Sequence, residues 1–149
     1  MPERPVAISV KQPWAALIVA RLKTIEVRTW STRRRGRVLI HAAKLADDRP
    51  EAWSLITTPE LMEATHLRGG FVGVADLDGC RTYETPEAFA ADIPLHRNAP
   101  EWFRPPRLYG FVFRDARPVA YHPYPGQTMF FGVDDYDAGE RPAAAAGED

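Results

Sequence analysis

Apolar residues recur along this chain at two spacings, every second position and every third to fourth, and the changes of period divide it into elements. Val6 to Val10 is a short apolar run of strand type. Gln12-Pro13-Trp14 opens a helical pattern in which Trp14, Leu17 and Ile18 share a face, with Pro13 near the first turn and an end near Ala20. In Lys23-Thr24-Ile25-Glu26-Val27-Arg28-Thr29-Trp30 the period becomes two. Ile25 and Val27 then face the core, while Thr24, Glu26, Arg28 and Trp30 are displayed together, with Glu26 and Arg28 about 7 Å apart along the strand.

An arginine-rich connection, Ser31 to Arg35, leads through Gly36 into a strand from Arg37 to Ala43. Proline-initiated helical stretches are expected at Pro50 to Leu55, Pro59 to Thr65 and Pro86 to Ala91, the last capped by Thr85. Between them, Gly69-Gly70 precedes Phe71 to Leu77, apolar on both faces and therefore a central strand, with Asp76 the exception. Residues 92–107 read as a proline-rich irregular segment pinned by Trp102 and Phe103. Leu108 to Arg114, Val119 to His122 and Met129 to Val133 are expected as closing strands, with Tyr124-Pro125-Gly126-Gln127 turning between the last two. Beyond Tyr136 there is little to bury, so one domain over residues 1–136 and a disordered tail over 137–149 are expected. The pattern as a whole predicts an α+β fold: a small curled sheet or barrel of about six strands with short peripheral helices.

Composition narrows the function classes. At 149 residues with 45% hydrophobic content the chain can bury a core without metal or disulfide support. Cys80 is the only cysteine, no signal-peptide pattern opens the sequence, and no apolar run approaches the roughly 18 residues of a membrane span, so a cytoplasmic setting without membrane contact is expected. The net charge is −1 but uneven: residues 1–49 hold 11 basic against 4 acidic groups, and residues 50–149 hold 8 against 16. Such a basic segment suits local phosphate binding or is simply a solvated face.

Candidate chemistry is concentrated in the same segment. His41, His66, His96 and His122 form no HxH or HxxxH pair, so neither a metal site nor a cofactor is expected. No GxSxG, GxGxxG or GxxxxGK[ST] occurs. Lys23 and Glu26, by contrast, can serve as an acid and base pair if burial shifts their proton affinities, or as a structural ion pair. Lys11 and Gln12 sit at a strand-to-helix turn whose free N–H groups favour an anion. Trp14 and Trp30 offer faces for base stacking or belong to the core, and Arg28 with the Arg33 to Arg37 cluster suits phosphate.

These residues carry a resemblance. The stretch ISVKQPWAALIVARLKTIEVRTWSTRRRGRVLIHAAK resembles the ASCH (activating signal cointegrator homology) domain, whose hallmarks are a QPWA-type helix start and a G-x-K-x-x-E-x-R element. Gln12, Pro13, Trp14 and Ala15 match the first, and Lys23, Glu26 and Arg28 the second; the glycine usual two places before the lysine is Arg21. GGFVGVADLDGC and GFVFRDARPVAYHPYPGQTMFFGV are similar to the family's middle and closing strands, so the likeness runs over nearly all of residues 6 to 134, closest to the cointegrator-type branch. It implies a PUA-like β-barrel with a groove beside the K-x-x-E-x-R strand that binds RNA or DNA, here through Lys11, Gln12, Trp14, Lys23, Glu26, Arg28 and Trp30, with Arg33, Arg34, Arg35 and Arg37 on phosphate. Some small bacterial relatives instead release the acetyl group of 4-acetylcytidine. Their lysine corresponds to Lys23 and their middle-strand glutamate best to Asp76, while the position of their threonine holds Glu26. A modified nucleoside is thus the alternative ligand, with Lys23, Glu26 and Asp76 as its catalytic candidates. A protein-interaction domain, in which the same three charged residues only brace the barrel, is the third possibility.

Overall fold

The alternation of Val6, Ile8 and Val10 forms β1 (Val6–Val10), and Ile8 and Val10 are buried against the helix that follows, α1 (Trp14–Val19). Residues 4–136 are described in this computed structural model. The Gln12 side chain explains why α1 starts where it does. Its Oε1 accepts the Ala16 N–H at 3.0 Å, satisfying a first-turn donor, and its Nε2 donates to the Ala64 and Leu67 carbonyls. One fully buried amide thus starts α1 and ties it to α2 (Pro59–Ala64).

The remaining strands are β2 (Ile25–Arg28), β3 (Gly36–Ala42), β4 (Gly70–Tyr83), β5 (Leu108–Pro123) and β6 (Phe130–Gly132). They form one sheet in the order β2-β5-β4-β3-β1-β6, antiparallel except for the β1–β3 pair. The long central pair β4–β5 changes register three times, and such bulges bend and twist a sheet. The curl brings the two edges together: Trp30, just beyond β2, meets Phe111 of β5 and Phe130 of β6 edge-on at 4.9 and 5.5 Å. Side chains therefore bridge the seam between β2 and β6. Gly73 lets α1 lie directly on β4, because a Cβ there would collide with Val19 and stand 2.9 Å from the Arg117 carbonyl.

Short helices α3 (Pro86–Ala91) and α4 (Ile93–His96) lie outside the sheet, with 3-10 turns at Pro50–Trp53 and Pro100–Trp102. Thr58 and Thr85 cap α2 and α3 by accepting backbone N–H groups, as Ser and Thr do at helix starts.

Several expectations are corrected. The segments Leu108 to Arg114 and Val119 to His122 are one strand, since β5 continues through Asp115, whose φ of 54° accommodates a bulge, rather than stopping. Tyr124 to Gln127 does not join neighbouring strands. β5 lies inside the sheet, whereas β6 pairs with β1 at the far edge, where Phe131 is buried opposite Ala7. β4 runs past Leu77 to Tyr83, which packs on Phe89 and Leu108. The irregular segment 92–107 contains α4 and a 3-10 turn. Arg21, standing where the family has glycine, adopts a left-handed φ of 65°, and its Nε donates to the Ala116 carbonyl at 2.6 Å. The backbone here asks for the conformation that glycine adopts freely. The expected tail, 137–149, lies outside the described residues.

Candidate functional site

Lys23 precedes β2 and is 1% exposed. Its ammonium donates to the His96 carbonyl at 2.5 Å and to Asn98 Oδ1 at 3.3 Å, stands 3.6 Å from Glu26 Oε1, and lies 4.7 Å from the centre of the Trp14 ring. Two of its N–H groups are thus engaged by hydrogen bonds, and the Glu26 carboxylate stands beside the third as its counter-charge. Burial pulls the group from its ordinary 10.5 down to about 8, against the opposing charge of Glu26, with Arg28 adding slightly to the fall.

Glu26 holds two cations at once. While Oε1 faces Lys23, Oε2 accepts from Arg28 Nε at 3.2 Å and stands 3.1 Å from Arg28 Nη2. Arg28 Nη2 also donates to the Ser9 carbonyl at 2.8 Å, linking β2 to β1, strands that are not neighbours in the sheet. Behind that carbonyl, Ser9 Oγ lies 3.0 Å from His41 Nδ1, and His41 Nε2 lies 2.6 Å from the Tyr124 carbonyl. A carbonyl only accepts, so Nε2 carries the proton and Nδ1 accepts from the serine. Burial keeps the imidazole pKa below its ordinary value. Gly126 is required at this contact, since a Cβ there would stand 2.7 Å from His41 Cε1. The ring thereby fixes the loop that delivers Gln127, Thr128 and Met129 to the site.

The opposite wall is built on Asp47. Its Oδ2 accepts the Trp14 indole N–H at 2.8 Å, Arg49 grips both carboxylate oxygens at 2.6 and 3.0 Å, and the backbone carbonyl accepts the Trp53 indole at 2.7 Å. The Arg49 hydrogen bonds hold the Asp47 carboxyl far below the usual carboxylate range, with burial opposing and the Trp14 bond assisting. Arg49 in turn stacks 3.6 Å above Trp102, which meets Trp14 edge-on at 6.2 Å. The result is a rigid corner of two tryptophans, an arginine and a carboxylate.

Between these walls is a hollow of about 500 Å³. Lys11, Trp14, Lys23, Glu26, Arg28 and Trp30, all singled out in the sequence, line it, together with Ser9, Asp47, Arg49, Asn98 and Gln127 to Met129. Trp14 is nevertheless only 7% exposed and belongs to the core, so it supports the floor rather than offering a stacking face. Gln12 is absent from the lining, because every polar atom of its side chain is engaged in holding α1 and α2. Arg33, Arg34 and Arg35 line a second hollow of about 690 Å³ that shares Trp30 and Met129 with the first. Arg37 is exposed outside both.

Asp76 does not join Lys23 and Glu26. Its neighbours on β4, Ala75 and Leu77, are buried in the cluster packed with α1, so a period of two turns Asp76 to the other face, beside Arg37 and Arg114 in the ladder. The catalytic trio expected from the resemblance is therefore not assembled. Conversely, sequence reasoning missed Asp47, Arg49, Asn98 and Met129. One signal for Asp47 was present: two tryptophans bound for a core need acceptors for their indole N–H groups.

Comparison with known proteins agrees with this architecture. The chain is 30% identical over 100 residues to human activating signal cointegrator 1, a match covering 62% of this chain but 17% of that protein. The solved ASCH structure from Zymomonas mobilis superposes with a TM-score of 0.61 at 16% identity, covering 89% of each chain. A mutant of the same bacterial protein superposes at 0.62, covering 91% of this chain and 92% of the other. Residues 8–128 match the ASCH domain, and the chain belongs to the ASCH domain family.

Proposed function

We propose that this chain is a nucleic-acid-binding module that holds RNA or DNA along the groove beside β2. The observation that carries the reading is the adjacency of the two hollows. One has a polar floor, Glu26 and Arg28, able to meet a base edge; the other, sharing Trp30 with it, is edged by three consecutive arginines suited to phosphate. The relationship to a cointegrator protein and the family membership support the same class of ligand.

The test is fluorescence anisotropy of labelled single- and double-stranded RNA and DNA at two salt concentrations. Affinity is expected to fall with salt, and replacing Arg33, Arg34 and Arg35 together by Ala is expected to weaken binding about tenfold or more and flatten the salt dependence. Unchanged binding by the triple variant counts against the phosphate role of the loop.

A second reading, an amidohydrolase acting on 4-acetylcytidine or a related nucleoside, is favoured by one observation: the Lys23 amine, lowered to about 8, lies beside Glu26 at the floor of the hollow. It requires release of cytidine from 4-acetylcytidine and loss of that release in Lys23→Ala. No turnover by the purified wild-type protein retires it for this substrate.

A further inference from the structure

A third hollow, of about 340 Å³, adjoins the first, sharing Arg28, Arg49 and Asn98 with it and no lining residue with the second. Its far side carries Trp102 and Arg104. The three hollows thus form one track: the Arg33 to Arg35 loop, then the deep central hollow, then the Arg49, Trp102 and Arg104 arm. Arg104 is exposed and has no ion pair or side-chain hydrogen bond among the described residues, and the same holds for Arg33 at the other end. Of the three arginines lining this arm, Arg28 and Arg49 are paired with Glu26 and Asp47, which leaves Arg104 as its cation without an ion pair among the described residues. Cations without partners at both ends of a track, with a polar floor between them, suit a polyanion that spans it, not a ligand confined to the centre.

Where the first two hollows join stands Met129. It is 51% exposed and has a left-handed φ of 58°, an uncommon conformation for a residue other than glycine. It follows the loop held by His41 and presents an apolar side chain that, with Trp30, lines both hollows. The floor groups are themselves recessed: Glu26 is 8% exposed. A base stacked within a duplex cannot bring its edge to such a floor, whereas an unstacked base can.

We infer that the site takes a single strand several nucleotides long, which enters at the arginine loop, is unstacked at Met129, places one base in the central hollow and leaves over Arg49, Trp102 and Arg104. This rests on the nucleic-acid reading and adds to it strandedness, length and a second phosphate arm. An isolated nucleoside would use only the centre.

The experiment is a length series on the intact protein: uridine monophosphate, the trinucleotide, the single-stranded hexanucleotide and octanucleotide, and a duplex of the same length, with wild type and with Arg104→Ala and Met129→Gly. The single-stranded hexamer is expected to bind at least about a hundredfold more tightly than the mononucleotide, and more tightly than the duplex. Arg104→Ala is expected to weaken the hexamer about fivefold, reduce its salt slope by about 0.7 and leave the mononucleotide unchanged. Met129→Gly, which relieves the backbone while removing the wedge, is expected to weaken single-strand binding without lowering Tm. Equal affinity across the length series, preference for the duplex, or a hexamer indifferent to Arg104 overturns the inference. If the Arg33, Arg34 and Arg35 variant still loses binding in that case, the nucleic-acid reading survives; if no oligonucleotide binds, both fall.

Discussion

Glu26→Gln is expected to destabilise the protein by about 3 to 5 kcal/mol, the range for breaking a buried ion pair by removing one partner. The substitution keeps the shape and one hydrogen-bond acceptor but removes the negative charge between Lys23 and Arg28. Arg28 stays charged, and Lys23, buried beneath it, is left facing a like charge. Lys23 can escape part of the penalty by releasing its proton, since its pKa already sits near 8, which places the expected loss toward the lower end of that range. Urea unfolding at pH 7 measures it. The double variant with Lys23→Met should lose less than the sum of the two single variants, because the two residues contact one another. A loss below 1 kcal/mol for Glu26→Gln would show that the carboxylate is not the counter-charge the geometry makes it.

Lys23 is also expected to make stability rise with pH between about 8 and 10.5. The sign follows from proton counting. In the unfolded chain the amine keeps its proton up to its ordinary 10.5, whereas in the folded protein it releases it near 8, so across this window the unfolded state binds more protons and unfolding becomes harder as pH increases. The destabilisation from burying the ammonium is fully present below pH 8 and is gone above 10.5. A displacement of this size corresponds to about 3 kcal/mol. Tyr83, raised by burial and by its bond to Asp92, works in the opposite direction at high pH, but it does so equally in a Lys23→Met variant. The measurement is therefore the difference between wild type and Lys23→Met in unfolding free energy from pH 7 to 10.5. A flat difference would mean that Lys23 titrates as an exposed lysine does.

Both expectations concern the same three residues, and the balance between stability and ligand contact at this site follows from them. Lys23 is buried and turned onto groups of the protein, so it shapes the floor by pairing with Glu26 and holding the His96 carbonyl and the Asn98 side chain. Arg28 is the more exposed of the two cations and reaches the hollow. A variant that loses binding through Lys23 must consequently be compared with its own stability before the loss is assigned to a ligand contact.

Much of this was legible in the chain. Ile25 and Val27 alternate with Glu26 and Arg28, and period two alone places the carboxylate and the guanidinium on one face within reach of each other. Thr85 before Pro86 and the run from Val6 to Val10 are local signals of the same kind, read from neighbours along the chain. The QPWA motif was legible as a helix start but not as a tie between α1 and α2. Gln12 acts on carbonyls at residues 64 and 67, and no local rule reports a partner fifty positions away.

By itself, then, the sequence determined the strands and helices with clear periodicity, the basic first third, the pairing of Glu26 with Arg28, and the family to which these motifs belong. Tertiary structure alone decided that Asp76 faces away from Lys23, that β6 crosses to β1, and that Asp47, Arg49, Asn98, Met129 and Trp102 gather around the same groove. The reason is physical. Periodicity tells which side of an element is buried, because burial depends on residues a few places apart. Which elements share a wall depends on how the bulged β4–β5 pair curls and where the connections cross, and that is set by contacts between residues distant in the chain.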